Sequence, residues 1–392
     1  MLKKLVYCST AIIPSAQANS IQIMRMCNAL CRFGFDVTLV AGVMPRYGNV
    51  NVFGYYGIEN RFSILRKVSG CHRGSTFLLS LRNYPTLKRL AKSSDDVLFY
   101  GRDVLALYAL ARSGRQVMYE THDVAGKGPR SWAERKLIEG QNLRKIVFIS
   151  NELKRAYLEK YDTVLAEKEM VVAPDAADEQ SNFSEAFDLK GGAAFNACYI
   201  GGFHRGRGIE LILEVAGRMP QVGFHLFGGT ADQVRQPDRR HLPNVHFYGY
   251  VEPAQTYKAR NAADVLLMPY QKEVMVSLNA SETARWMSPV KLFEYMSSRK
   301  PIISSNHKVL REVLEHGRNC QLCEPDDAGQ WVQAITRLRE DQQLCRGISE
   351  AAYRDFIDNY TWNKRVERIL SEDRMTLNKH SAGAYLGRAC LP

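Results

Sequence analysis

Short apolar runs alternate with amphipathic helical segments twice along this 392-residue chain, and a polar interval separates the two series. In the first series Lys3–Ser9 reads as a strand. Ser20–Phe33 reads as a helix with Ile23, Cys27, Leu30 and Cys31 on one stripe, and Val37–Ala41 is the next strand after Gly34. Strands are expected at Val97–Tyr100, Gln116–Glu120, Lys145–Ser150 and Met170–Val172, with helices at Val104–Ser113, Ala133–Gln141 and Glu152–Tyr161. Pro174–Gly192 is polar and weakly patterned, as a linker would be. The second series has strands at Phe195–Ile200, Gly223–Phe227, Val245–Tyr250, Asp264–Pro269 and Ile302–Ser305. Its helices are expected at Ile209–Arg218, Lys308–His316 and Ala328–Asp341, with one more just before Ile302. Such alternation demands parallel sheets covered on both faces. The expected fold class is α/β, with two doubly wound, Rossmann-like domains at 1–173 and 193–350, a linker at 174–192, and ligands at the strand carboxyl ends in the cleft between them. Residues 351–370 read as helical, and 371–392 lose periodicity and read as a loosely held tail.

Composition narrows the class. No run reaches the ~18–20 apolar residues that span a bilayer. The apolar stretch after Lys3 and Lys4 is short and passes into the strand–helix pattern, so it reads as a core strand. Nine cysteines are scattered, which fits structural thiols in a reducing cytosol. Cys320 and Cys323 stand alone as a CxxC inside an apparent strand, where residues three apart face opposite sides. The formal charge of +12 is uneven. Residues 60–94 hold no acid but include Arg61, Arg66, Lys67, Arg73, Arg82, Lys88, Arg89 and Lys92, interleaved with apolar side chains such as Phe77, Leu78 and Leu81. An anionic membrane surface attracts such a segment, at roughly 1 kcal/mol per cation. A solvated basic face is the plainer reading. Nucleic acid is not the expected partner, since no motif for it is present.

The stretch SPVKLFEYMSSRKPIISS, Ser288–Ser305, has a legible local chemistry. Ser288 suits an N-cap and Pro289 the first helical position, while Lys291 and Glu294 share a face. A first-turn lysine opposes the helix dipole but adds to the field that attracts phosphate. A surface Lys–Glu pair is the alternative. The first strand–helix loop, Thr10–Asn19, has no glycine, which disfavours dinucleotide chemistry; Ser15, Asn19 and Ser20 could contact a ligand or serve as caps. Its counterpart, Gly201–Gly208, reads GGFHRGRG. Glycines such as Gly202 allow close backbone approach, and Arg205 and Arg207 suit a diphosphate; a flexible basic loop is the alternative. His122, in YETHD, follows a strand and is either structural or at the cleft. No metal site is expected: there is no Asp-x-Asp, no HExxH and no His/Cys cluster.

These segments together resemble retaining glycosyltransferases of family 4. The resemblance is carried in order by NSIQIMRMCNAL, YETHD, YIGGFHRGRGIELILEVA, DVLLMPYQ, SPVKLFEYMSS, VLREVLEHGRN and YTWNKRVERIL. It implies the GT-B fold, with final helices packing back on the first domain. It implies a nucleoside-diphosphate sugar as donor substrate, no cofactor, and retention of configuration without metal. The catalytic set implied is His122, Arg207 and Lys291. Gly202, Arg205, Arg207, Ser288, Lys291 and Glu294 form the implied donor site, with Arg207 and Lys291 on the diphosphate and Glu294 on the ribose hydroxyls. Ser15, Asn19 and Arg102 are candidates on the acceptor side, and Trp362 is expected in the core. One departure stands out: relatives often carry a glutamate eight residues before the position of Glu294, where this chain has Trp286, with Glu282 off register. The expected activity is sugar transfer to a lipid-linked or polysaccharide acceptor, peripherally on the inner face of the plasma membrane. A non-catalytic protein that binds sugar nucleotides is the alternative.

Overall fold

The computed structural model describes residues 3–59, 61–69, 75–94, 96–165, 168–230, 233, 242–274 and 284–371. Two parallel sheets organise the chain. The first has seven strands in the order β3-β2-β1-β4-β5-β6-β7. These are β1 (Lys3–Ile12), β2 (Phe35–Val43), β3 (Ser63–Val68), β4 (Val97–Gly101), β5 (Val117–Thr121), β6 (Leu143–Phe148) and β7 (Glu169–Val172). The second has six, in the order β10-β9-β8-β11-β12-β13: β8 (Asn196–Ile200), β9 (Gly223–Phe227), β10 (Val245–Gly249), β11 (Val265–Met268), β12 (Ile302–Ser305) and β13 (Gln321–Cys323).

Each sheet is buried on both faces, as parallel pairing requires. Along β5, Val117 and Tyr119 enter one core cluster and Met118 enters the other. The same alternation sends Cys320 and Cys323 into clusters on opposite sides of the second sheet. Helix α1 (Ala18–Arg32) covers the first sheet with Ile23, Met26, Cys27 and Leu30, all at most 1% exposed. Two further helices follow: α2 (Val52–Tyr56), and α3 (Ser75–Ser93), which lies inside the basic segment where the sequence pattern predicts none. Helices α4 (Val104–Arg112), α5 (Pro129–Glu139) and α6 (Asn151–Leu165) complete the first half. The second half adds α7 (Ile209–Arg218), α8 (Thr256–Ala262), α9 (Val290–Ser297), α10 (Ala328–Glu340) and α11 (Gln342–Asn359).

Three expectations change. Strand β1 runs three residues beyond Ser9, so the loop before α1 is short. The helix expected at Lys308–His316 is only a 3-10 turn, Leu310–Glu312. The Asn319 amide replaces helical pairing there, accepting from the Glu315 N–H and donating to the Val313 carbonyl. The helical stretch 351–370 is broken: α11 ends at Asn359, and a last helix, α12, occupies 362–371. At the break Ala177 N–H donates to Tyr360 O at 3.1 Å, and Trp362 N–H donates to Ala177 O at 3.3 Å. Trp362, Val366 and Ile369 of α12 lie in the core cluster of the first sheet. The expected tail, 371–392, lies outside the described residues except for residue 371.

Side-chain contacts join the two halves. Glu312 accepts hydrogen bonds from the Asn151 and Glu152 backbone N–H groups, capping the start of α6 from the other half. Ser150 Oγ donates to Trp286 O at 3.0 Å, and Tyr55 and Tyr250 hydroxyls meet at 3.0 Å.

Candidate functional site

The carboxyl end of β8 begins the second-half site. Gly201 follows it at φ +152, and a Cβ there would lie 2.6 Å from Lys291 Nζ. Only glycine lets this lysine close in. Gly208 caps α7 at φ +77, where a Cβ would meet Pro269 O at 1.9 Å. The loop 201–208 is therefore packed on the chain leaving β11, with Gln271 N–H donating to Gly206 O, and is not a free basic loop.

Helix α9 supplies the cation. It starts one residue later than expected: Pro289 is its N-cap, and Ser288 Oγ instead accepts the Asp175 N–H at 2.8 Å. The serine thus ties the interdomain segment to the helix entrance. Lys291 stands in the first turn, with Nζ 3.8 Å from the Tyr199 ring centroid and 5.6 Å from that of Tyr270. Arg207 lies over the same Tyr270 ring at 5.0 Å. Lys291 Nζ is buried and has no hydrogen-bond partner among the described residues. Burial, then the Arg207 charge, hold its ammonium well below the usual lysine range. His204 Nδ1, in the same loop, is also buried without a partner among the described residues. Two cationic side chains share an aromatic wall here, an arrangement whose chemistry suits an anion.

Glu294 lies one turn along α9, its carboxylate 3.9 Å from buried Arg260, which also donates to Gln180 and Thr256. Arg205 is exposed and pairs at 3.7 Å with Glu273, which is exposed as well. Gly202 is exposed, and its carbonyl accepts from the Tyr199 hydroxyl at 2.8 Å.

At the first-half strand ends, His122 follows β5. Its Nε2 is 2.6 Å from Glu120 Oε1. Glu120 is buried within the strand and gathers donors from several elements. Gln22 of α1 donates to it at 2.8 Å, Tyr100 of β4 donates through its hydroxyl, and Arg365 of α12 approaches both oxygens at 3.1 and 3.2 Å. Burial opposes the charge, but Arg365, His122 and Arg102 hold the carboxyl well below its usual range. Burial and the Arg102 charge push His122 down to about 4, against the pull of Glu120. Arg102 joins the same network through Gln22 Oε1 at 3.5 Å.

The remaining first-half candidates divide. Ser15 closes the loop before α1: its N–H donates to the Tyr56 hydroxyl and its Oγ meets Ser20 Oγ. Asn19 Oδ1 in the first turn of α1 is buried without a partner among the described residues. Trp286 packs against the core cluster of the first half, with its indole N–H buried and likewise unpartnered among them. Glu282 lies outside the described residues. The sequence pattern assigns Glu120 and Arg365 no role, although a glutamate inside a buried parallel strand is a signal. Tyr199, Tyr270 and Arg260 escape notice because they look like ordinary core or surface positions. Among the described residues no three His, Cys, Asp or Glu side chains cluster as metal ligands.

Residues 194–341 match the family model described as glycosyl transferases group 1. A phosphatidyl-myo-inositol mannosyltransferase of Mycolicibacterium smegmatis is 25% identical over 159 residues, 40% of this chain and 38% of that protein. The match thus spans well under half of this curated relative. Sucrose-phosphate synthase from Thermosynechococcus elongatus superposes with a TM-score of 0.70 at 17% identity, covering 96% of this chain and all of that one (100%). The Anabaena protein HepE, solved with UDP and glucose, superposes at 0.63 with 14% identity, covering 94% and 100%. The chain therefore has the GT-B fold, two Rossmann-like parallel-sheet domains, and its second domain matches the group 1 glycosyltransferase model.

Proposed function

We propose that this protein is a glycosyltransferase that moves a sugar from a nucleoside diphosphate to an acceptor hydroxyl, with retention of configuration. The observation that carries the reading is the Lys291–Arg207 pair: a buried ammonium, unpartnered among the described residues, beside a guanidinium, against Tyr199 and Tyr270. Keeping two cations together without an anion costs free energy, and a diphosphate would remove that cost. Lys291 would regain its full charge on binding. Glu294, an acceptor-only carboxylate one turn away, suits the paired hydroxyls of a ribose.

In the reaction the bond between the sugar C1 and the diphosphate oxygen breaks, and its electron pair leaves with the nucleotide. Arg207 and Lys291 stabilise that developing charge. The acceptor oxygen bonds to C1 on the face the phosphate leaves, and its proton passes to the departing phosphate oxygen. His122, neutral and directed by Glu120, would accept a hydrogen bond from the sugar. No step requires a metal ion or a cofactor.

The proposed acceptor is a lipid-linked or polysaccharide hydroxyl at an anionic membrane surface. Helix α3 supports this: Phe77, Leu78 and Leu81 are 43–55% exposed, with Arg82, Lys88, Arg89 and Lys92 exposed on the same helix. Its first half sits at the strand ends, where Asn83 donates to Ser9 O and Ser80 to Asp103. No described helix is long and apolar enough to cross a membrane. The proposed location is peripheral, on the cytoplasmic face.

Donor turnover tests the reading. A panel of UDP-, GDP-, ADP- and dTDP-sugars should include one that releases nucleotide, unaffected by EDTA. Lys291→Ala should lower that rate by ~10²–10³-fold. Binding without turnover across the panel would leave a sugar-nucleotide-binding protein instead.

A further inference from the structure

We infer that Glu120 and Arg365 are a positioning pair that fixes His122 as its Nε2–H tautomer, so that Nδ1 faces the substrate as a hydrogen-bond acceptor. The inference rests on the reading that His122 lies beside the transferred sugar; the tautomer itself does not.

Glu120 is 1% exposed and receives Gln22 Nε2, the Tyr100 hydroxyl and the Arg365 guanidinium on its two oxygens. Donors on both oxygens mean an ionised, acceptor-only group. His122 Nε2, 2.6 Å from Oε1, must then carry the hydrogen. A neutral ring has one such hydrogen, so Nδ1 is left as a lone pair. Nδ1 has no partner among the described residues, and the ring keeps 16% exposure. It can accept from a hydroxyl or an amide N–H, which is what a hexose or an acetamido sugar presents.

Arg365 decides whether Glu120 stays ionised, since its charge is the foremost one opposing burial of that carboxyl. It comes from α12, 245 residues along the chain, and is buried at 2% exposure. Its Nε donates to Pro174 O at 2.9 Å, where the chain leaves the first domain, and it meets Glu120 with both terminal nitrogens. The titratable and charged groups around the pair are Tyr7, Cys27, Tyr100, Arg102 and Asp175, and Arg102 is the other cation. With Arg365 removed, burial favours a protonated Glu120, whose O–H would donate to Nε2 and leave the ring's one hydrogen on Nδ1. Nδ1 would turn from acceptor to donor, and a hydroxyl held by its lone pair would lose its partner. The seating of the last helix would thereby be read out at the sugar site.

The test uses the full chain labelled with 15N-histidine, without ligand, at pH 7.5. Two-bond 1H–15N spectra distinguish the two tautomers from imidazolium, and His122→Gln identifies the His122 signals among nine histidines. The wild type should show His122 neutral with Nε2–H, Arg365→Gln should show the Nδ1–H tautomer, and Arg365→Lys should keep the wild-type pattern. A wild-type Nδ1–H tautomer or imidazolium overturns the inference without any variant, so a poorly folding Arg365→Gln leaves it testable. An unchanged Nε2–H tautomer in a folded Arg365→Gln overturns it as well. Where a donor is turned over, Arg365→Gln should lower kcat/KM by up to about 10²-fold, with Arg365→Lys recovering most of it. A wild type that turns over no donor would defeat the transferase reading while leaving the tautomer result standing.

Discussion

At the residue scale the molecule spends stability on unsatisfied charge. Lys291, Asp175 and Asp103 are all held away from their ordinary ionisation, the first by burial and Arg207, the two acids by burial. Asp175 is 5% exposed, one of its oxygens lacks a partner among the described residues, and burial pushes it up to about 7. The native state therefore binds a proton that the unfolded chain releases above its ordinary pKa of 3.8. That contribution to stability is fully present below 3.8 and is lost as the pH rises through about 7. Asp175→Asn removes the ionisation. Its stability relative to wild type should rise between pH 5 and 8, by roughly 3 kcal/mol. Thermal melts across that range check this, and a constant difference would contradict it. His122 and His225, both pushed down to about 4 chiefly by burial, act oppositely. Their contribution is present above 6.5 and is lost as the pH falls toward 4.

At the element scale, strands and long helices are legible because a buried parallel strand and an amphipathic helix each impose a period on the sequence. Strands β5, β8 and β9 need nothing more. Lys308–His316 has helical apolar spacing yet forms no α-helix, because a side chain outside the segment, that of Asn319, takes the backbone groups. The break at Tyr360 has the same origin, since its partner Ala177 is remote in sequence. Helix α3 is hidden by charge: its apolar residues split between a buried set, Leu79 and Leu87, and an exposed set, Phe77, Leu78 and Leu81. That exposed set fits a helix lying on a membrane surface. Reversing Arg82, Lys88, Arg89 and Lys92 to glutamate should abolish co-sedimentation with anionic vesicles and leave the melting temperature nearly unchanged. Equal sedimentation of the two proteins would exclude this helix as a membrane contact.

At the scale of the whole molecule, one half brings cations to its strand ends and the other brings a neutral imidazole, with α12 tying back to the first. Lys291, Glu294 and Arg207, the residues proposed for the donor, are legible because they lie on one helix turn and one glycine loop. The Glu120–Arg365 support is not, because its members meet only when residues 245 apart in sequence are folded together. Whether Lys291 and its neighbours hold a nucleoside diphosphate is decided by thermal unfolding with UDP, GDP, ADP and dTDP, for the wild type and for Lys291→Ala combined with Glu294→Ala. Ligand at a hundred times its dissociation constant adds ~2.7 kcal/mol, a shift of several degrees. A diphosphate site at Lys291 predicts that shift with one of the four nucleotides in the wild type, and none in the double variant. No shift with any of them, or a shift that survives both substitutions, would contradict it.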